Sequence, residues 1–266
     1  MITPASVARE LNQPLVTGVQ WRIMNDSQSP SLATDSKVRS EAKEVKFVVP
    51  DSIAAELEGR IGELFSRDPH CVNGGGYSLA SIYCDSPNWD VYYRRGRYRY
   101  CKYRIRRYGE TDVAHLERKV KKGYQVRKKR CELSLELLPE LAQANCGIGV
   151  VACKYRSHLK RQAMRPVCLI HYDRTAYFGA VDSMPVRMTF DRSVRGQAWQ
   201  KWVFETEGSG DLLLPGFVIC EFKFRGSMPS LLRELVHQFS VTPMGISKYR
   251  RCVDFWNLVA SDKASS

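Results

Sequence analysis

Apolar and charged residues alternate with a period of two along several stretches of this chain, and that alternation predicts β-strands. In EVKFV, Val45, Phe47 and Val49 oppose Glu44 and Lys46. AHLERKV sets Leu116 and Val120 against Glu117 and Lys119, and VICEFKF sets Cys220, Phe222 and Phe224 against Glu221 and Lys223. RYRYCKYRIRRYG, VAHLERKVKK and YQVRKKRCEL are separated by the turn signals YGETD and KKG, which predicts three consecutive antiparallel strands. Further strands are expected at GGGYSLASIYCD after its glycine turn, and at VCLIHYDRTAYFG, VRMTFDR and GFVICEFKFRG. The Tyr-rich DVYYRRGRYRY reads as a strand and hairpin surface.

Helical spacing appears in DSIAAELEGRIGELF after Pro50, with Asp51 or Ser52 as its N-cap, and in MPSLLRELVHQF. Residues 133–164 read as mainly helical, broken around Pro139 and Gly147 to Gly149. Many antiparallel strands with few helices predict an α+β or closed-barrel design. Residues 1–40 are polar, with little apolar periodicity, and are expected to form a flexible lead-in. A single domain is expected over 41–260, followed by a disordered tail at 261–266.

Composition narrows the function classes. No stretch approaches the roughly 20 apolar residues of a spanning helix, and the first residues lack the order of a secretory signal, so a cytoplasmic protein is expected. The nine cysteines are scattered singly without a CxxC pair, which argues against zinc and a disulfide framework. His115 and His171 fall in strands and read as packing or surface residues.

Net charge is +13, from 41 Lys and Arg against 28 Asp and Glu. Residues 92–130 hold sixteen of the bases against Glu110, Asp112 and Glu117, so the rest of the chain is neutral. Such concentration in one segment predicts a polyanion site. Register then divides the bases: Arg104 and Arg106 share a strand face, as do Lys128 and Arg130. Barrel interiors are normally apolar and an unpaired buried ion is costly, so a charged lining implies a charged ligand. Tyr interleaved with Arg could also stack bases and contact phosphates. The in-register carboxylates Glu117 and Glu221 count against nucleic acid, because they repel its backbone unless a metal intervenes.

The ordered set EVKF, SIYCD, KYRIRRYGE, LERK, VRKKR, HYDRTAYF, VRMTFDR, CEFKF and ISKY resembles the VTC domain, the polyphosphate polymerase branch of the triphosphate tunnel metalloenzymes. The resemblance covers about Glu44 to Trp256. It implies a closed antiparallel barrel of about eight strands forming a charged tunnel, with helices packed outside. Carried over by position, it makes Arg104, Arg106, Lys119, Lys128, Arg174 and Arg187 catalytic phosphate contacts. Lys46, Arg130, Tyr172, Lys223, Ser247 and Lys248 would bind substrate phosphates. Glu221 would be the principal ligand of Mn²⁺ or Mg²⁺, with Glu44 and Glu117 as further candidates. The implied activity transfers the ATP γ-phosphate onto inorganic polyphosphate; a triphosphatase or a non-catalytic polyphosphate binder would use the same site. Related CYTH enzymes open with Glu-x-Glu-x-Lys, but Ala42 stands where a second Glu before Lys46 would be, which disfavours the triphosphatases. The membrane and phosphate-sensing domains of eukaryotic relatives have no counterpart in this sequence.

Overall fold

The computed structural model describes residues 42–71, 75–122, 125–143, 150–205 and 209–264; for residues 121–122, 125–128, 150–151, 153 and 263–264 only the backbone is described. The expected lead-in and the Gly147 to Gly149 break lie outside these residues. The strands are β1 (Ala42–Pro50), β2 (Ser66–Arg67), β3 (Tyr77–Asp85), β4 (Cys101–Tyr108), β5 (Val113–Lys122) and β6 (Gln125–Ser134). They continue as β7 (Arg165–Val181), β8 (Met184–Ala198), β9 (Asp211–Leu212) and β10 (Phe217–Arg225). The helices are α1 (Asp51–Leu64), α2 (Val150–Arg161), α3 (Ser230–Gln238), α4 (Lys248–Phe255) and α5 (Leu258–Ala264). None is long and apolar enough to cross a membrane. α5 runs into the stretch expected as a tail.

The strands form one antiparallel sheet in the order β1, β10, β8, β7, β3, β4, β5, β6, with β2 added to β7 and β9 to β8. β7 and β8 are its long spine, joined through Asp182 and Ser183, whose positive φ of 51° and 61° suits a tight two-residue hairpin turn. A bulge between His171 and Asp173 shifts their register around Tyr172.

The expected closed barrel is corrected. The hydrogen-bonded path starts at β1 and ends at β6, and no ladder joins those edges among the described residues. The curl brings β5 and β1 together only at side-chain range, where Lys119 Nζ meets Glu44 Oε2 at 3.1 Å.

The strand alternation sorts the two faces as the sequence implies. On the convex side Phe47, Phe222 and Phe190 pack with Leu57 and Ile61 of α1 and with Leu232 and Leu235 of α3. Phe47 and Phe222 face each other with ring centroids 5.1 Å apart. A second cluster joins Ile82, Ile105 and Leu116 to Leu159 of α2 and Cys252 of α4. Burying these side chains, at about 1.5–3 kcal/mol each, fixes which face turns inward.

Two local expectations are also corrected. α1 has no side-chain cap: Pro50 occupies the N-cap position, Asp51 is the first helical residue, and its N–H bonds to the Gly216 carbonyl at 3.0 Å. DVYYRRGRYRY forms turns and a 3₁₀ segment (Gly96–Tyr98) instead of a strand. The reason is Asp85, whose buried carboxylate accepts from the N–H groups of Ser86, Val91 and Tyr92 and folds the segment back upon itself. The region 133–164 holds a 3₁₀ segment (Leu135–Leu141) containing Pro139, then α2.

Candidate functional site

The concave face of the sheet encloses a narrow cavity of about 150 Å³. Its walls come from β1 (Glu44, Lys46), β3 (Tyr83), β4 (Lys102, Arg104, Arg106), β5 (Glu117, Lys119), β7 (Tyr172, Arg174), β8 (Asp191) and β10 (Ile219, Glu221). Ile246, Ser247 and Lys248 close one side. A pocket this small and polar is unlike a drug-sized site, because its charged walls reach across to one another. A wider groove of about 860 Å³ lies outside, over α1 and β7, where Arg192 pairs with Glu58 at 2.7 Å and Tyr177 also bonds to Glu58.

Four carboxylates stand in the cavity wall and each holds a base. Lys46 meets Glu221 at 2.8 Å, and Arg174 grips both oxygens of Asp191 at 2.6 and 2.8 Å. Lys248 also bonds to Asp191. Arg104 bonds to Glu117 at 2.5 Å, and Lys119 meets Glu44. Burial would raise the Asp191 carboxyl, but Arg174 and Lys248 overcome it and hold the group well below the usual carboxylate range. Glu221 behaves likewise: burial opposes ionisation, and Lys46 more than reverses it.

Seven bases line this cavity against those four acids. The imbalance falls on Arg106 and Lys102, which have no carboxylate partner among the described residues. Arg106 is 5% exposed and donates to Ser81 Oγ at 3.2 Å and to Tyr172 Oη at 2.7 Å. The Tyr172 ring is a hub for cations, with Lys248 Nζ 4.4 Å, Arg174 5.5 Å and Arg106 5.8 Å from its centroid. Burial lowers the Lys102 ammonium, Tyr83 pulls the other way, and Lys46, Arg104 and Lys119 add to the lowering, leaving its pKa at about 8. Both groups describe an enclosure that is short of negative charge.

The helix α4 delivers the last wall. Ser247 is its N-cap, accepting from the Arg250 N–H, and Lys248 begins the helix. Tyr249 reaches behind it to bond to Asp85, and the Met244 N–H bonds to the Lys46 carbonyl at 2.7 Å, so the segment is pinned to both β3 and β1.

The VTC domain family model matches residues 41–257. The chain belongs to the VTC domain family. No curated protein matches it in sequence. Solved structures similar to this VTC domain include the Hippeastrum protein HpAC1, whose description states a dominant triphosphatase activity, at 13% identity over 81% of this chain and 96% of that one, with a TM-score of 0.48. The bh2851 protein of Bacillus halodurans follows at 13% identity, covering 79% and 95%, with a TM-score of 0.45. PH1819 of Pyrococcus horikoshii OT3 is 16% identical over 80% and 99%, with a TM-score of 0.42.

Of the residues expected in the site of this VTC domain, Lys46, Arg104, Arg106, Lys119, Tyr172, Arg174, Ser247, Lys248 and Glu221 meet in the one cavity, with Glu44 and Glu117. Others stand apart from it. Arg187 bonds instead to Asp68 at 2.9 Å and to Tyr77. Arg130 reaches Glu117 only at 3.9 Å, and Lys223 is half exposed, 3.8 Å from Glu44. Lys128 pairs in register with Lys119, but its side chain lies outside those described. His115 and His171 do not line the cavity.

Sequence reasoning missed Tyr83, Lys102 and Asp191. The signal was present for two of them. Lys102 is two residues before Arg104, and Asp191 four after Arg187, each on the same strand face as its neighbour.

No cluster of three His, Cys, Asp or Glu exists among the described residues, so these residues offer no all-protein metal cage. Glu221 and Asp191 do share a face on adjacent strands: Glu221 pairs with Thr189 and Ile219 with Asp191, which sets the two carboxylates diagonally. Mg²⁺ and similar hard cations are commonly held by one or two carboxylates together with substrate phosphates, and this pair fits that mode. Glu44 meets Lys119 of β5 across the cavity, and Glu117 is held by its ladder neighbour Arg104.

Proposed function

We propose that this VTC domain is a polyphosphate polymerase that moves the γ-phosphoryl group of ATP onto the end of an inorganic polyphosphate chain held in the cavity. The observation that carries the reading is the buried Arg106, together with Lys102, standing without carboxylate partners in an enclosure already rich in cations. A linear phosphate chain supplies the missing negative charge in the required narrow shape.

Phosphoryl transfer needs in-line alignment and neutralisation of the equatorial oxygens, and no protein nucleophile. An oxygen of the terminal chain phosphate forms the new bond to the γ-phosphorus as the bond to the β,γ-bridging oxygen breaks, and that electron pair leaves on ADP. Arg104, Arg106 and Arg174 offer planar donors for paired contacts to phosphate oxygens. Lys46 and Lys248 exchange their carboxylate partners for phosphate oxygens as the chain enters. Lys119, Lys128, Arg130 and Lys223 extend the grip along β5, β6 and β10, and Arg187 serves β8. Glu221, with Asp191 beside it, would hold Mn²⁺ or Mg²⁺, which when bound neutralises phosphate charge and polarises the transferred group.

The test is incubation with ATP and Mn²⁺, resolving products on a polyphosphate gel while ADP and free phosphate are measured. Long chains with ADP and little phosphate are expected. Phosphate released in equal amount to ADP would mean that water is the acceptor and the domain is a triphosphatase. Tight polyphosphate binding without turnover would make it a sensor.

A further inference from the structure

The cavity does not use all the charge of the basic segment. Of the sixteen Lys and Arg in residues 92–130, Lys102, Arg104, Arg106, Lys119, Lys121, Lys128 and Arg130 occupy strand positions of the cavity face, and nine do not. A second row runs across the opposite face of the same three strands. Tyr103 of β4 pairs with Arg118 of β5, and Arg118 pairs with Lys129 of β6.

Over this row sits α2. His158 stacks on Tyr103 with ring centroids 5.7 Å apart, its Nε2 lies 2.9 Å from Tyr103 Oη, and its Nδ1 accepts from Arg161 at 2.8 Å. Because Arg161 can only donate, Nδ1 is bare and the ring proton resides on Nε2. The Arg118 guanidinium lies 5.7 Å from the Tyr103 centroid. Burial, followed by the charges of Arg118, Arg161, Lys129 and Arg97, pushes the His158 pKa down to about 4. None of these four cations forms an ion pair among the described residues. Four bases around an imidazole that stays neutral form a site of unanswered positive charge.

Its position gives the ligand. β6 is the margin of the sheet, so Arg130 on the inner face and Lys129 on the outer face are consecutive residues at an edge that no strand covers among the described residues. Tyr103 is 2% exposed, with His158 stacked on its ring and Arg118 close to it, so it presents no free aromatic face on which a nucleic acid base could stack. The Tyr98 ring beside it is covered by the Arg97 guanidinium, 5.7 Å from its centroid, so what the cluster itself offers is charge.

We propose that this outer face is a second phosphate-binding site, formed by Arg97, Arg118, Lys129 and Arg161, which holds the part of a linear polyphosphate chain that passes over the β6 margin from the cavity. The proposal rests on the cavity reading above and adds to it a length dependence. A chain long enough to occupy both sites gains by effective concentration, whereas a short one binds only inside.

The experiment compares the wild-type chain with the triple variant Arg97→Gln, Lys129→Gln, Arg161→Gln, titrating each with tripolyphosphate and with long-chain polyphosphate at one ionic strength. The long chain should bind the variant about tenfold more weakly, with tripolyphosphate affinity unchanged, which also shows the variant to be folded. In the wild type, long-chain polyphosphate alone should raise the pKa of His158 followed by NMR. Equal long-chain affinity in the two proteins would overturn the outer site and leave the cavity reading intact. A parallel loss of both ligands would assign these bases to the cavity and overturn it too. Failure of the wild type to bind tripolyphosphate would remove the cavity reading, and the outer site with it. Single-stranded RNA bound through the same three bases, with polyphosphate ignored, would assign the face to nucleic acid.

Discussion

Lys46 and Glu221 are direct partners in the ladder between β1 and β10, and their side chains close to 2.8 Å on the cavity face. Burial alone would lower the Lys46 ammonium, and Glu221 reverses this, raising it above its ordinary value. The same contact keeps Glu221 ionised. On the proposed function, these carboxylates stand where phosphate oxygens would lie, and ligand entry would exchange one set of anions for another.

Glu221→Gln follows from that exchange. The substitution keeps the shape and removes the charge, so Lys46 would be freed for phosphate while the proposed metal site would lose its principal carboxylate. ADP release with Mn²⁺ should fall by about 100-fold or more, and tripolyphosphate affinity should hold or tighten. Normal turnover would remove Glu221 from the mechanism.

Lys102 makes the cavity sensitive to pH. Its pKa of about 8 in the empty protein means that it is charged below pH 8 and neutral above. A bound polyanion favours the charged form, so affinity is full near pH 7 and is lost as pH rises through 8. Between pH 7 and 9 tripolyphosphate binding should weaken about tenfold, as linkage to one proton requires. The empty domain should respond in the opposite sense, gaining stability from pH 8 towards the ordinary lysine value of 10.5 as its buried cation discharges. Lys102→Arg should flatten both profiles, measured by calorimetric titration and by denaturant unfolding.

Asp85 ties the wall carrying Lys248 to the sheet. Its fully buried carboxylate accepts from three backbone N–H groups and from the Tyr249 hydroxyl of α4. Asp85→Ala strands those donors and should cost about 3 kcal/mol in urea unfolding. It should also raise the KM for ATP, because Ser247 and Lys248 lose their anchor. An unchanged unfolding midpoint would mean that α4 is held by its apolar contacts alone.

Much of this was legible in the sequence. Alternation placed Phe47, Phe222 and Leu116 on the convex face and Lys46, Glu221 and Glu117 on the other, because a strand has only two faces and one must be buried. The same rule carried further would have delivered Lys102 and Asp191. What alternation cannot report is how far a sheet curls, so the open margin between β6 and β1 was read as closed. It also cannot see a buried carboxylate reorganising the backbone that follows it, and Asp85 turned an expected strand into a set of turns. Arg187 shares the inward parity yet bonds to Asp68, since parity fixes a face and leaves the position along it free.

On the proposed function, Arg106 stands in the cavity to receive a phosphate anion. Titration of tripolyphosphate into the wild type and Arg106→Gln, with unfolding of both measured alongside, tests it most directly. Binding should be about 100-fold weaker in the variant, with the ligand-free protein as stable as the wild type or more so, because a buried cation without a carboxylate partner has been removed. Equal affinity, or a variant that is destabilised and binds as before, would contradict it.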